Sequence, residues 1–235
     1  MLRWRVQLTG EHFDLEELPK LFDHPLCSVL EAGGTFFLQS TEFESCQSAG
    51  PVREKAISLV ASMNGAALLA IGNFRPVGVG GVHEETVGGR SITVFATDAI
   101  ELRSKVGAVI VGSNQSTAPP RQPAATSDWM RLSTTKPAVQ RVLRLLSTRA
   151  PSWSDLYKTM EILEANGGHG LLPQLGISKR ELSRFTQTAN SMHAIGDHAR
   201  HAKESLPAPT KPMSLHEASK LIVRWVRAWL ASYTP

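Results

Sequence analysis

Apolar and polar residues alternate in short runs along the first part of the chain. Residues 4–10, WRVQLTG, alternate like an edge strand, and residues 27–40, CSVLEAGGTFFLQS, indicate a hairpin that turns at Gly33–Gly34. Residues 14–22, DLEELPKLF, have the spacing of a short amphipathic helix with Asp14 as its cap. The pattern therefore predicts antiparallel strands with a helix packed against them.

A longer helix is predicted from Pro51, because proline is favoured at the first helical position. Asn64–Gly65 would end it. Its apolar face would consist of Val52, Ala56, Leu59, Val60 and Met63. Four strand-like runs follow, AALLAIG, PVGVGGV, SITVFAT and AIELRSKVGAVIVG, with Gly88–Gly89 as the clearest turn. One or two helices on an antiparallel meander make this half α+β.

From residue 137 onward the apolar residues recur at helical intervals. The segments KPAVQRVLRLLS, SWSDLYKTMEILEANGG, SKRELSRFTQTAN and SLHEASKLIVRWVRAWLASY each place apolar side chains on one face. Ser178 with Glu181, and Ser214 with Glu217, match the capping-box pattern at helix starts. Four capped amphipathic helices predict an all-α helical bundle.

The stretch between these two patterns, residues 113–128, is SNQSTAPPRQPAATSD. Its Ser, Thr, Pro and Ala residues show no helical or strand period, which predicts an extended linker. We therefore divide the chain into an α+β domain over residues 1–112, a linker over 113–136 and a basic helical bundle over 137–235. A length of 235 residues accommodates either two small domains or one large one.

Charge is distributed unequally between the two halves. Residues 1–112 carry 9 basic and 13 acidic side chains, whereas residues 137–235 carry 13 basic and 7 acidic side chains. A basic half suits an anionic partner such as RNA or DNA. The alternative is intramolecular, with the acidic half docking on the basic half.

Composition and motifs also favour a folded protein without a membrane span or a cofactor. The 42% of apolar residues is enough for a buried core. The first residues lack the apolar run of a signal peptide, and no stretch is long enough for a membrane span, so no membrane partner is expected.

Cys27 and Cys46 have no metal or redox spacing, which favours reduced thiols and a cytoplasmic location. GVGGVH fails the dinucleotide fingerprint because His83 replaces its last glycine, and no cofactor is predicted.

The densest chemical stretch is TANSMHAIGDHARHAKES, residues 188–205. An imidazole such as that of His201 titrates near neutral pH and can move protons during RNA cleavage. Arg200 would stabilise phosphate charge, and Asn190 would orient the phosphate or the ring. Two alternatives stay open: a metal bound by His198 and His201 with Asp197, His193 or His169, or a solvated loop that caps helices. We predict no metal.

With Asn190, Arg200, His201 and the closing helix from Ser214, residues 137–233 resemble the HEPN helical bundles of bacterial defence and toxin systems. The resemblance implies metal-independent RNA cleavage by paired protomers, hence a homodimer, with Asn190, Arg200 and His201 as the catalytic residues. The family places its histidine a few residues after an arginine, whereas Arg200 and His201 are adjacent. The N-terminal half resembles only uncharacterised bacterial domains.

A second resemblance involves LGISKRELSRF, residues 175–185, which is similar to the turn and recognition helix of a helix-turn-helix. Lys179, Arg180 and Arg184 would then contact phosphates or base edges. The loop before this segment is longer than the usual turn. A catalytically silent adaptor or a DNA-binding regulator is therefore the alternative to an RNA-binding protein.

Overall fold

The sheet lies in the N-terminal part of the chain and is antiparallel. The computed structural model describes residues 3–86, 89–95, 123–148, 150–200 and 208–233. The strands are β1 (Trp4–Thr9), β2 (Asp23–His24), β3 (Cys27–Ala32), β4 (Thr35–Gln39), β5 (Gly78–Thr86) and β6 (Gly89–Thr93). Their order across the sheet is β2-β3-β4-β1-β5-β6.

Helices dominate the later part of the chain. The helices are α1 (His12–Leu21), α2 (Ala49–Ile71), α3 (Pro123–Thr135), α4 (Pro137–Leu145), α5 (Trp153–Ala165), α6 (Lys179–Asn190), α7 (Met192–Ile195) and α8 (Leu215–Ala231). Ser152, Ser178 and Ser214 each accept a hydrogen bond from the backbone of the third helical residue. Helices α4, α5, α6 and α8 are the four helices that periodicity and caps predict from residue 137 onward, so this prediction is confirmed.

Strand β1 lies inside the sheet, between β4 and β5, and the prediction of an edge strand is wrong. Trp4, Val6 and Leu8 are buried on the face that the helices cover. Alternation reports that one face of a strand is buried, and it is the same at an edge and in the middle of a sheet. Only the partners on both sides distinguish the two positions.

The hairpin between β3 and β4 is confirmed. Gly33 and Gly34 form its turn with φ of 61° and 75°, the left-handed conformation that a two-residue hairpin turn requires. In the next hairpin Gly89 is described and has φ of 129°, whereas Gly88 lies outside the described residues. The predicted strand over residues 99–112 also lies outside them.

Helix α1 begins before the predicted cap. Its N-cap is Glu11, and Asp14 lies in the first helical turn instead. The Asp14 carboxylate accepts a hydrogen bond from the backbone N–H of Arg75 at 3.1 Å. The side chain of Asp14, which the local sequence predicts to cap α1, therefore makes a tertiary contact with Arg75 instead.

Helix α2 runs through Asn64–Gly65 and ends before Gly72, so both the predicted stop and the strand AALLAIG are wrong. The Asn64 side chain makes two hydrogen bonds to the backbone of Val77, at 2.9 and 3.0 Å. At Gly65 a Cβ would overlap the backbone carbonyl of Leu143 in α4. Both residues make contacts with other parts of the chain. These contacts explain why asparagine and glycine, which disfavour a helix, lie inside α2.

Residues 123–135 form helix α3, which corrects the linker predicted over 113–136. Trp129 and Met130 are buried, at 9% and 2% exposure. The Thr126 hydroxyl donates a hydrogen bond to the carbonyl of Leu21 at the end of α1. Residues 113–122 lie outside the described residues, so the extended character predicted there stays a prediction.

Buried side chains from both halves form one continuous hydrophobic cluster. The close approach of Gly65 to Leu143 joins α2 to α4. The Arg227 guanidinium of α8 donates to the carbonyl of Leu69 in α2, with its Nε at 2.8 Å. These contacts connect the two predicted domains through packing and hydrogen bonds.

Helix α2 is also long and apolar enough to cross a membrane, judged by length and composition alone. Of its most apolar 18 residues, 56% are buried inside the protein. The central helix of a folded core meets the same criteria. The contacts of Asn64 and Gly65 with Val77 and Leu143 place α2 in such a core.

Candidate nucleic-acid interface

The chain folds back on α6 directly after that helix ends. Helix α7 follows, Gly196 adopts a φ of 58°, and a short 3-10 helix covers Gly196–His198. The backbone N–H of Arg200 donates to the carbonyl of Ala189 at 2.9 Å. This hydrogen bond brings the backbone of Arg200 beside the end of α6, where Asn190 is the last helical residue.

The Asn190 side chain is half-buried and directed along its own helix. Its amide nitrogen donates to the carbonyl of Thr186 at 2.9 Å. Its Oδ1 is buried and has no hydrogen-bond partner among the described residues. A buried acceptor without a donor is uncommon, and it is free to accept a hydrogen bond from a ligand or a neighbouring residue.

The Arg200 side chain extends onto α5. Its guanidinium forms an ion pair with Glu161, with Nη2 3.0 Å from Oε1, and lies over the ring of Tyr157 at 4.2 Å from the centroid. The Tyr157 ring in turn stacks on Phe185, with the centroids 6.2 Å apart. Arg200 is therefore positioned by an anion and an aromatic ring, the two groups that guanidinium binds best.

The other residues of this stretch are on the surface. His193, Asp197 and His198 are exposed, and His201 lies outside the described residues. No group of three His, Cys, Asp or Glu side chains suited to a metal ion occurs in the part of the chain that the structure describes. The structure thus brings Arg200 next to Asn190 at the backbone and gives no position for His201.

The three basic residues of α6 have different environments. Lys179 and Arg180 are exposed in the first helical turn and have no ion-pair partner among the described residues. Arg184 instead donates to the carbonyls of Lys211 and Pro212, at 2.7 and 3.0 Å, and pairs with Glu217. These contacts hold the segment before α8, so Arg184 is engaged within the protein.

Other exposed cations in the described helical part also lack a carboxylate partner. No described carboxylate pairs with the side chains of Arg141, Arg144, Lys158, Lys179, Arg180, Lys211 and Lys220. Arg141, Lys158 and Glu161 line a groove of about 400 Å³ between α4 and α5. No sequence motif marks these three residues. The one local signal nearby is that Tyr157 and Glu161 are four apart on α5, the spacing that puts both on one helix face.

Two titratable groups outside this stretch, His83 and Glu217, have shifted pKa values. Burial, followed by the charges of Arg90 and Arg5, lowers the pKa of His83 in the sheet. The capping hydrogen bonds from Ser214, followed by Arg184, hold the pKa of Glu217 at about 2. Glu217 is therefore ionised throughout the neutral range and suited to anchor Arg184.

Comparison of the chain with protein-family models, with curated proteins and with solved structures gave no match. The arrangement of charged and aromatic side chains on the helical part is therefore the basis for assigning a function.

Proposed function

We propose that this protein binds RNA through the basic surface of its helical half. The observation that carries the proposal is the set of exposed cations on α4, α5, α6 and α8 that no described carboxylate neutralises. Phosphate contacts by such cations supply most of the affinity of nucleic-acid-binding proteins. Lys179 and Arg180, at the start of α6, are part of this surface.

Two features favour RNA over a DNA major groove. The connection between α5 and α6 spans residues 166–178 and contains its own 3-10 helix at Gly168–Leu171, which is far from the short turn of a helix-turn-helix. Arg184 is engaged by Lys211, Pro212 and Glu217. Only the first turn of α6 then offers free cations, which is a poor basis for base readout by a recognition helix.

The resemblance to HEPN bundles extends the proposal to RNA cleavage, with Asn190, Arg200 and His201 as the residues involved. The proximity of Arg200 to the end of α6 and the unpartnered Oδ1 of Asn190 support this extension. The same resemblance supports a homodimer and a role in bacterial defence or stress. The buried free thiols of Cys27 and Cys46 suit a reducing cytoplasm.

Binding is tested by fluorescence anisotropy with a labelled single-stranded RNA over a range of salt concentrations. The double variant Lys179→Gln/Arg180→Gln is expected to bind more weakly. The slope of log Kd against log salt is expected to fall by about 0.7 for each phosphate that the variant no longer binds. Lys20→Gln is the matched control, because it removes an exposed lysine from α1 that already pairs with Glu17.

Each result decides between the named functions. Tighter binding to duplex DNA than to RNA at equal salt would support the DNA-binding regulator. Absence of binding to either nucleic acid at low salt would refute the proposal and favour an adaptor that recognises protein.

A further inference from the structure

The groove between α4 and α5 is lined by both apolar and charged residues. Its lining includes Pro137, Ala138, Ile162 and Ala165, with Arg141 from α4 and Lys158 and Glu161 from α5. Arg141 and Lys158 are exposed and have no ion-pair partner among the described residues. Two cations contributed by two helices thus border one concavity of about 400 Å³, which a chain of phosphodiesters can follow.

One acidic residue, Glu161, lines the same groove and is paired with Arg200. A carboxylate and a phosphate accept hydrogen bonds from a guanidinium in the same geometry. Glu161 therefore occupies the position on Arg200 that a phosphate oxygen would take. The pair is open to solvent, with 31% of the Arg200 side chain and 44% of the Glu161 side chain exposed, so it is easily displaced.

The contact with Tyr157 does not depend on Glu161. The Arg200 guanidinium lies 4.2 Å from the ring centroid of Tyr157, and this ring also stacks on Phe185. Stacking is expected to keep the guanidinium on α5, beside Glu161, when the carboxylate is replaced by another anion. Arg200 is thus ready to exchange one anionic partner for another without leaving α5.

We propose that the α4–α5 groove is the phosphate-binding site for single-stranded RNA, and that Glu161 is a built-in competitor that RNA phosphate displaces from Arg200. Arg141 and Lys158 are the cations that hold neighbouring phosphates. This inference rests on the proposed function, because it specifies where RNA binds and what limits the affinity.

The test compares charge-neutralising variants with a fluorescein-labelled oligouridylate, again by anisotropy at several salt concentrations. Glu161→Gln removes the competitor and is expected to tighten binding several-fold. Glu164→Gln is the matched control: it makes the same change of charge on the same helix, at a residue outside the groove lining that contacts His169 at 3.9 Å. A purely long-range effect of charge would tighten binding equally in both variants and would overturn the competitor.

Arg141→Gln and Lys158→Gln are expected to weaken binding and to lower the salt slope by about 0.7 each. The tighter binding of Glu161→Gln is expected to vanish in the double variant with Arg200→Gln, because the competitor acts through Arg200. All these side chains are on the surface, and the thermal unfolding of each variant verifies that the fold is intact.

The outcomes separate this inference from the function on which it rests. If the wild-type protein binds the oligouridylate and the groove variants bind equally well, the groove is refuted and RNA binding stands. If the wild-type protein fails to bind at low salt, the proposed function and the groove are both refuted.

Discussion

The sheet half, residues 3–95, and the helical half, residues 123–233, use their basic side chains differently. In the sheet half most of the described cations have carboxylate partners on the same half: Arg3, Arg5, Lys20, Arg75 and Arg90 pair with Glu84, Glu85, Glu17, Glu11 and Glu85. In the helical half the cations of α4 and the first turn of α6 have none among the described residues. The sheet half thus pairs most of its described cations with carboxylates, whereas the helical half leaves most of its described cations without one.

The described contacts between the two halves include no ion pair. Among the described residues every ion pair joins partners within one half. The halves meet instead through packing at Gly65 and Leu143 and through the hydrogen bond from Arg227 to Leu69. The described ion pairs thus give no support to an acidic half that docks on a basic one.

The largest expected effect concerns chemistry in the helical half. His201→Ala is expected to slow RNA cleavage by about 10²–10⁴-fold, the contribution of a positioned acid or base. The measurement is cleavage of a labelled RNA at saturating protein. His12→Ala, an exposed histidine of α1 in the sheet half that pairs with Glu16, is the control and should cleave like the wild type. Full activity of His201→Ala would remove this residue from the site.

The next effect concerns the junction of the halves. Gly65→Ala is expected to destabilise the protein by about 2–3 kcal/mol, because the added Cβ overlaps the backbone of Leu143 and forces α2 and α4 apart. Chemical denaturation measures the free energy of unfolding. Gly50→Ala is the matched control on the same helix, since open space surrounds Gly50, and it should be neutral or stabilising. Equal effects at both positions would contradict the close packing.

A smaller effect is expected from the sheet half at mildly acidic pH. His83 is 7% exposed, and burial followed by Arg90 and Arg5 lowers its pKa below the ordinary value of 6.5. The unfolded chain therefore binds the proton more readily. The stability that neutral His83 contributes is present above pH 6.5 and is lost as the pH falls below it toward the lowered pKa.

The pH dependence is measured as the free energy of unfolding of the wild type and of His83→Gln across the range below pH 6.5. The glutamine has no proton to gain, so its curve should be flatter. Parallel curves would mean that other groups set the acid sensitivity of the sheet half.

The smallest effect is expected from salt on the fold itself. Raising the salt from about 0.1 M to about 1 M screens surface charges almost completely. The halves should nevertheless unfold together in one transition, because apolar packing joins them. RNA binding by the helical half should weaken steeply over the same range. A transition that splits into two at high salt would show that charges hold the halves together.

The sequence predicted local structure well where one residue type controls it. Gly33–Gly34 formed the expected turn, and Ser178 and Ser214 capped the expected helices. It failed where a helix breaker serves a distant partner, as Asn64 and Gly65 do inside α2. The sequence also predicted that residues 123–135 belong to a linker. Trp129 and Met130 are buried in this segment, but two apolar residues in a polar stretch indicate a packed helix only when the core that they contact is known.

The candidate site was predicted only in part. The chemistry of the stretch around Arg200 predicts a site there, and the structure places the backbone of Arg200 beside the end of α6. Its partners Glu161 and Tyr157 lie about forty residues earlier in the chain, and no local pattern connects them to Arg200. Arg184 was predicted to contact nucleic acid but is held by the segment before α8.

By itself the sequence determined most of the elements, the unequal division of charge and the caps, because these depend on residues a few positions apart. The tertiary structure alone decided that β1 lies inside the sheet and that α2 continues past Asn64–Gly65. It also decided which of the described cations of the helical half are left unpaired. Each of these depends on contacts between residues far apart in the chain, and the free energy of such contacts outweighs the local preference of any single residue.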